Sequence, residues 1–216
     1  MLFSLKKVKV NGIISIDNLI IPDQRITSIV GQSGSGKSTF LRLLNNLDDP
    51  DSGEIRFHGD DLQELDPIEL RRKVTMVPQT PVIYEGTIKD NLLIGLKFAR
   101  LEDVSDQHMI DILRLMNLNK SLETIADELS GGEKQRLALG RSMLLSAEVY
   151  LLDEPSSSLD DKTASDVIHA YVNYMREHNK TVVMVTHDRE LAKEISDNFI
   201  SMDRYSETLK GVNHNG

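Results

Sequence analysis

One glycine-rich stretch has the residue types and spacing needed to bind a phosphate chain. Its residues are Gly31, Gln32, Ser33, Gly34, Ser35, Gly36, Lys37, Ser38 and Thr39. Glycines allow successive backbone N–H groups to turn toward phosphate oxygens at the positive end of a helix. Lys37 adds charge toward the β- and γ-phosphates, and Ser38 can ligate Mg²⁺. The stretch therefore predicts nucleoside triphosphate binding; the alternative is a turn that only starts a helix.

A second candidate anion site follows Leu129, about ninety residues later. Ser130 and Glu133 have the S-x-x-E spacing of a capping box, so a helix should begin here. Gly131 and Gly132 leave the first turn without side chains, and a bare helix start attracts anions. An ordinary capped helix would need only Ser130 and Glu133 and would leave the paired glycines unexplained.

Two adjacent acids, Asp153 and Glu154, end the apolar run 149–152. Side chains of successive strand residues point to opposite faces, so the two carboxylates can perform separate tasks. They could alternatively cap the next turn. A phosphate loop upstream favours catalytic chemistry.

The pattern around these residues predicts an α/β fold with a mostly parallel, doubly wound sheet. Strands are expected at 26–30, 54–57, 74–77, 149–152, 181–185 and 198–202, and helices at 37–47, 66–72, 130–143, 162–177 and 189–194. Alternating apolar residues at 3–8 and 13–20 around Asn11-Gly12 predict an antiparallel hairpin at the sheet edge. Alternation of strands and helices behind a phosphate loop indicates the parallel core.

Residues 84–129 contain no β-like run, and apolar residues recur there at helical spacing. Met109, Ile112, Leu113 and Met116 should share one buried face. We expect one domain over 1–216, with a core formed by 1–83 and 130–203, a helical sub-domain at 84–129 and a polar tail at 204–216.

Composition favours a folded enzyme domain. The 216 residues carry 39% hydrophobic side chains and a net charge of −9, which argues against nucleic acid as the main partner. No run approaches the ~20 apolar residues of a membrane span. With no cysteine, disulfides and thiolate metal sites are excluded, and the histidines show no ligand spacing, so no metal beyond Mg²⁺ is predicted.

The eight residues from Leu129 to Arg136, after the phosphate loop, resemble the signature of ABC transporter nucleotide-binding subunits. The likeness extends over about residues 3–202. It implies a P-loop NTPase core with an inserted helical sub-domain, and a homodimer enclosing two ATP molecules. In that arrangement Ser130, Gly131 and Gly132 close over ATP held by the opposite subunit.

The resemblance also implies roles for other residues. Asp153 is similar to the residue that holds Mg²⁺ through water, and Glu154 to the general base that polarises the attacking water. Gln79 resembles the glutamine that reaches Mg²⁺ and water when the helical sub-domain moves inward. His187 resembles the switch histidine at the γ-phosphate, and Asp160 belongs to a loop that crosses the dimer interface. Asp160 is also a plausible cap for the helix near 162.

One position departs from the family pattern. ABC subunits usually stack adenine on an aromatic residue soon after the first strand, and the matching residue here is Val10. Either aliphatic contact replaces stacking, or another ring such as Phe3 or Tyr84 takes the place.

The compact chain and the run 77–92 resemble bacterial ATPases of iron export and their plant aluminium-tolerance relatives. The resemblance implies an ATP-hydrolysing subunit, peripheral on the cytoplasmic face of the membrane, with a separate permease docked near Gln79 and the helical sub-domain. An ABC ATPase acting in repair or on ribosomes is the alternative; such proteins usually have a long coiled-coil insertion or two cassettes.

Overall fold

The computed structural model describes residues 1–207. Its nine strands are β1 Phe3–Val10, β2 Ile14–Ile21, β3 Ile26–Val30, β4 Ser52–Phe57, β5 Asp60–Asp61, β6 Val74–Val77, β7 Val149–Asp153, β8 Thr181–Val185 and β9 Asn198–Ser201. The seven α-helices are α1 Lys37–Leu44, α2 Pro67–Lys73, α3 Ile88–Ala99, α4 Asp106–Leu115, α5 Gly131–Met143, α6 Asp161–Glu177 and α7 Arg189–Ile195. Short 3-10 turns lie at 62–64, 126–128 and 202–204.

The strands form two sheets. The smaller sheet has the order β2-β1-β4-β5 and is antiparallel, and the larger has the order β6-β7-β8-β3-β9 and is parallel. The predicted hairpin is confirmed, with Val10 opposite Ile14. The predicted α/β fold with parallel and antiparallel strands is likewise confirmed, and the antiparallel strands form a sheet of their own rather than an edge of the parallel sheet.

Alternation along the central strands separates two hydrophobic cores. On β7, Val149 and Leu151 join the core that contains Phe40 and Leu41 of α1, whereas Tyr150 and Leu152 join the core formed with α5 and α6. Asp153 has the same parity as Leu151, so its side chain should lie on the α1 side. The alternation of side chains along β7 thus directs the Asp153 carboxylate toward the phosphate loop.

The helical region 84–129 contains α3 and α4, and the predicted stripe is core, as expected. Met109, Ile112, Leu113 and Met116 are all at most 2% exposed. They pack with Leu137 and Leu139 of α5 in one cluster. The helix that follows Ser130 therefore shares its core with the helical region.

Two predicted boundaries are wrong. α1 ends at Leu44 rather than near Leu47, because Asn46 adopts a left-handed conformation (φ 54°) that asparagine tolerates well. The polar tail does not begin at 204, because the chain stays paired through Glu207: Ser206 forms a bridge with Ile14, and the Glu207 N–H donates to the carbonyl of Ile13 at 2.9 Å. The remainder of the predicted tail, 208–216, lies outside the described residues.

Candidate functional site

The phosphate loop, residues 31–39, ends at a helix start that no side chain caps. Among the α-helices of residues 1–207, α1 alone has no side-chain cap, and its N-cap residue Gly36 is left-handed with φ 89°. Within the same residues, the backbone N–H groups of positions 33, 34 and 36–38 donate to no protein acceptor. This array of free donors at a helix N-terminus is suited to an anion.

The loop is also tightly packed where glycine occupies it. A Cβ on Gly31 would lie 2.6 Å from the Ser35 hydroxyl, and one on Gly36 would lie 2.4 Å from Cγ2 of Ile14. The Ser35 hydroxyl is buried and has no hydrogen-bond partner in residues 1–207. Glycine is therefore required at both positions for the loop to pack as it does, and the loop also holds a polar group without a protein partner.

Lys37 folds back over this loop. Its Nζ donates to the carbonyl oxygens of Gly31 and Gln32, each at 3.0 Å. Both of these acceptors are neutral. Phosphate oxygens are stronger, charge-assisted acceptors for the same group.

Asp153 reaches the phosphate loop, as its strand parity predicts. Its Oδ1 accepts a hydrogen bond from the Ser38 hydroxyl at 3.1 Å, and the residue is only 6% exposed. Burial raises the pKa of this carboxyl, and Glu154 raises it further, while Ser38 and Lys37 oppose the shift. A hydroxyl beside a carboxylate is a donor set that fits Mg²⁺ when phosphate oxygens supply further ligands. Within the described residues, no group of three acidic or histidine side chains could hold a metal alone.

Glu154 lies one residue beyond β7, where the backbone turns into a left-handed conformation with φ 48°. Strand alternation therefore does not govern its side chain, and that part of the sequence reasoning is wrong. Its Oε2 instead accepts hydrogen bonds from His187, from Nδ1 at 2.8 Å and from the backbone N–H at 3.3 Å. The two adjacent acids consequently contact different partners, Ser38 and His187.

The two predicted residues that follow the strands on either side of β7 differ in their contacts. His187 follows β8 and joins Glu154, with its side chain 72% exposed. Gln79 follows β6, is exposed, and its side chain makes no hydrogen bond within residues 1–207. In this conformation Gln79 is not brought to the other candidate residues.

The signature segment 130–136 begins α5 with the predicted capping box. The Glu133 N–H donates to the Ser130 hydroxyl at 3.3 Å, and the Ser130 N–H donates to the Glu133 carboxylate at 2.9 Å, which lowers the pKa of Glu133. Gly131 is exposed and has open space around it. A Cβ on Gly132 would lie 3.0 Å from the carbonyl oxygen of Ser158.

No hydrogen bond or ion pair within the described chain joins this segment to the phosphate loop. Ser130 and Gly131, at the start of the segment, are nevertheless exposed, whereas Gln135 is fully buried. The free glycine surface of the signature is therefore available to another molecule.

Asp160 caps α6, as predicted. Its carboxylate accepts from the Thr163 N–H at 3.1 Å, and the hydrogen bonds to Thr163 lower the pKa of Asp160. The loop 156–160 that leads to it packs on Gly132 through Ser158 and Leu159. The proposed interface loop and the signature are thus neighbours on one surface.

Both alternative rings suggested for adenine pack against other side chains of the chain. Phe3 is fully buried and packs on Phe57 at a centroid distance of 4.9 Å, and Tyr84 lies beneath the Arg141 guanidinium at 5.3 Å. Val10 is half-buried near the hairpin turn. The neighbouring Ile13 would lie 3.0 Å from a Cβ on Gly36, so aliphatic side chains border the phosphate loop.

The sequence analysis missed one contact to the phosphate loop. Asp203, in the 3-10 turn after β9, accepts a hydrogen bond from the Gln32 N–H at 2.9 Å. It also pairs with Arg189 of α7 at 3.5 Å. An isolated aspartate 171 residues away carries no local pattern that could have revealed this.

No helix within residues 1–207 has the length and apolar character to cross a membrane.

The family model described as ABC transporter matches residues 15–157. A relative named "ABC transporter I family member 17", from Arabidopsis thaliana, is 38% identical over 82% of this chain and 67% of its own length. "Protein STAR1" of Oryza sativa subsp. japonica is 37% identical over 83% of this chain and 52% of its own. The chain thus spans between about half and two thirds of the length of these two curated relatives.

Solved structures agree with the sequence relatives. A dimeric ATP-binding cassette in a post-hydrolysis state, bound to ADP and Pi, superposes with a TM-score of 0.80 at 28% identity and 95% coverage of both chains. The region matched by the family model includes both the phosphate loop and the signature segment. The chain belongs to the ABC transporter family and is one of its ATP-binding cassettes.

Proposed function

We propose that the chain hydrolyses ATP at the phosphate loop and powers a separate membrane permease. One observation carries this proposal: the uncapped start of α1, with its free N–H groups, lies beside the Ser38–Asp153 contact. A phosphate site and a candidate Mg²⁺ site are thereby adjacent. Residues 31–39 bind the triphosphate, and the Nζ of Lys37 exchanges two backbone carbonyls for phosphate oxygens.

Ser38 and Asp153 are the proposed Mg²⁺ ligands, and the family resemblance adds Gln79. When bound, Mg²⁺ would neutralise charge on the β- and γ-phosphates. Asp153 serves this role only as a carboxylate. Because burial penalises that charge, the nucleotide-free protein holds the carboxylate in an unfavourable environment that a cation would relieve.

Glu154 is the proposed general base. Its carboxylate takes a proton from the attacking water, a task for which the group must be ionised and within hydrogen-bond reach. His187 orients this carboxylate through Nδ1, and Nε2 would donate to the γ-phosphate when both ring nitrogens carry a proton. The pairing lets one small movement of the 186–188 segment act on both groups.

The active site is proposed to be completed by a second copy of the chain. Ser130, Gly131 and Gly132 of one protomer would close over ATP bound by its partner, with Asp160 at the interface. The exposed surface of Gly131 and the absence, in residues 1–207, of any bond from the signature to its own phosphate loop support this arrangement. A helix N-terminus with bare N–H groups suits the γ-phosphate of a shared nucleotide.

The permease is proposed to dock in a groove between the Gln79 loop and the helical region. The groove has a volume of about 630 Å³ and is lined by Ile68, Pro78, Val82, Tyr84, Phe98 and Arg141, among others. Phe98 is 63% exposed and Ile68 is 61% exposed. An apolar opening of this kind suits a short amphipathic segment of another protein, and occupation of the groove would act directly on the loop that carries Gln79.

This position makes the chain a peripheral protein on the cytoplasmic face of the membrane. The resemblance to iron-export and aluminium-tolerance ATPases favours a metal as the transported substrate. The substrate-binding surface would belong to the permease.

Co-purification tests the proposal. The tagged chain, expressed at native level and extracted with mild detergent, should retain a multispan membrane protein and release phosphate from ATP. Phe98→Glu should abolish retention without loss of ATPase activity, whereas Phe199→Glu, at another exposed aromatic position, should preserve both. Recovery of ribosomes or repair proteins with an unaffected Phe98→Glu variant would contradict the transport role.

A further inference from the structure

A strap formed by residues 202–207 joins the phosphate loop to the edge of the antiparallel sheet. At one end, Asp203 accepts the Gln32 N–H at 2.9 Å. At the other, the Tyr205 carbonyl accepts the Ser15 N–H at 2.8 Å, and the Glu207 carboxylate accepts the Gly12 N–H at 3.0 Å. The strap therefore contacts the phosphate loop and the β1–β2 turn together.

Asp203 fixes the first half of the phosphate loop. The Gln32 N–H donates to Asp203, so this amide is not among the free donors of the loop. Gly31 lies close against the same carboxylate, since a Cβ there would be 2.9 Å from Oδ1. Lys37 donates to the carbonyls of Gly31 and Gln32, and Asp203 thus binds one of these two residues and packs closely against the other.

Asp203 is itself held from the other side. Its Oδ2 lies 3.5 Å from Arg189, the first residue of α7, and its side chain is 28% exposed. Arg189 follows His187 by two residues. One carboxylate thus links the phosphate loop to the segment that carries the proposed switch histidine.

We infer that Asp203 is a positioning residue for nucleotide binding: it holds residues 31 and 32 in place so that the neighbouring N–H groups are ordered before ATP arrives. A loop with three glycines loses more backbone freedom on binding than other segments do. A carboxylate that restrains it in advance reduces this cost. This inference rests on the proposed binding of ATP at residues 31–39.

The chain offers a closely matched control. Asp197 accepts a hydrogen bond from the backbone N–H of Ile26, the first residue of β3, at 2.8 Å, and it pairs with Arg176 at 3.3 Å. Its side chain is 31% exposed, close to the 28% of Asp203. The two aspartates therefore make the same kinds of contact at opposite ends of β3, and only Asp203 touches the phosphate loop.

The test compares Asp203→Ala, Asp203→Asn and Asp197→Ala in the full chain. MgATP binding is measured by calorimetry, and phosphate release gives kcat and KM. Asp203→Ala should weaken MgATP binding and raise KM by roughly tenfold, about the effect of losing one charge-assisted hydrogen bond, with kcat changed less than twofold. Asp203→Asn should keep wild-type KM, because its amide oxygen can still accept the Gln32 N–H.

Asp197→Ala should keep the wild-type KM although its thermal stability falls. Equal KM values for Asp203→Ala and Asp197→Ala, or an Asp203→Asn variant as impaired as Asp203→Ala, would overturn the positioning role. Failure of the proposed function is distinguishable from this result, because the wild-type chain itself would then bind no MgATP.

Discussion

Glu154 and His187 form one hydrogen-bonded unit across the ends of two neighbouring parallel strands. The carboxylate oxygen Oε2 lies 2.8 Å from Nδ1 of the imidazole and 3.3 Å from the backbone nitrogen of the same residue. An ionised carboxylate only accepts hydrogen bonds, so Nδ1 carries a proton in this pair. The proposed base and the proposed switch residue therefore change their environments together.

Replacing Glu154 by glutamine should abolish turnover and leave ATP binding intact. The amide keeps the size of the side chain and an acceptor for His187 but cannot take a proton from water. Phosphate release should fall by about 10²–10⁴-fold, the usual contribution of a general base. ATP should then trap a dimer that size-exclusion chromatography detects. Glu190→Gln, at an exposed position of α7, is the control. Near-normal turnover of Glu154→Gln would reject the role of Glu154 as the general base.

Replacing Asp153 by asparagine should stabilise the nucleotide-free protein at neutral pH while it removes Mg²⁺-dependent hydrolysis. Burial raises the pKa of this carboxyl above its ordinary value of 3.8. The folded state therefore loses stability relative to the unfolded state as pH rises from 3.8 toward the raised pKa. Asparagine carries no such charge and can still accept the Ser38 hydroxyl hydrogen bond.

Thermal unfolding followed from acidic to neutral pH measures this effect. The advantage of Asp153→Asn should be absent below the ordinary carboxyl pKa and grow above it. Asp60→Asn, at an exposed position of β5, should follow the wild-type profile. An Asp153→Asn protein less stable than wild type at neutral pH would show that the buried carboxylate stabilises the apo fold.

We expect the chain to discriminate only weakly between the nucleobases adenine and guanine. An aromatic ring under adenine contributes roughly 1–3 kcal/mol, and Val10 offers none. ATP and GTP should therefore compete with less than about a tenfold difference in affinity, equivalent to 1.4 kcal/mol. Val10→Tyr should tighten ATP binding, and Val10→Leu is the size control. Strong selectivity of the wild type for ATP would show that another group contacts the base.

Sequence reasoning predicts well those parts of the fold that depend on interactions between residues close together in the chain. Asp66, Ser130 and Asp160 each cap a helix through a backbone N–H within three residues, and all three helix starts were predicted. The parity of β7 likewise directs Asp153 toward α1. Such features depend on short-range spacing, which a single sequence displays.

Features that depend on distant contacts or unusual backbone could not be predicted. The left-handed conformation of Glu154 ends strand alternation one residue earlier than its sequence suggests. Asp203 lies 171 residues from Gln32, and only the folding of β9 beside β3 brings them together. Gln79 has the expected place after β6, but its exposed side chain contacts none of the other candidate residues, which its spacing in the sequence does not reveal.

The central claim is that two copies of the chain share each ATP site, and mixing two inactive variants tests it most directly. Lys37→Ala removes the charge facing the triphosphate, and Ser130→Arg blocks the signature. In a mixed dimer, both lesions fall in one composite site and the other is intact. We predict that ATPase activity partly returns on mixing, toward half that of wild type per mixed dimer. No recovery at any ratio, with mixed dimers demonstrated by differential tags, would contradict the shared site.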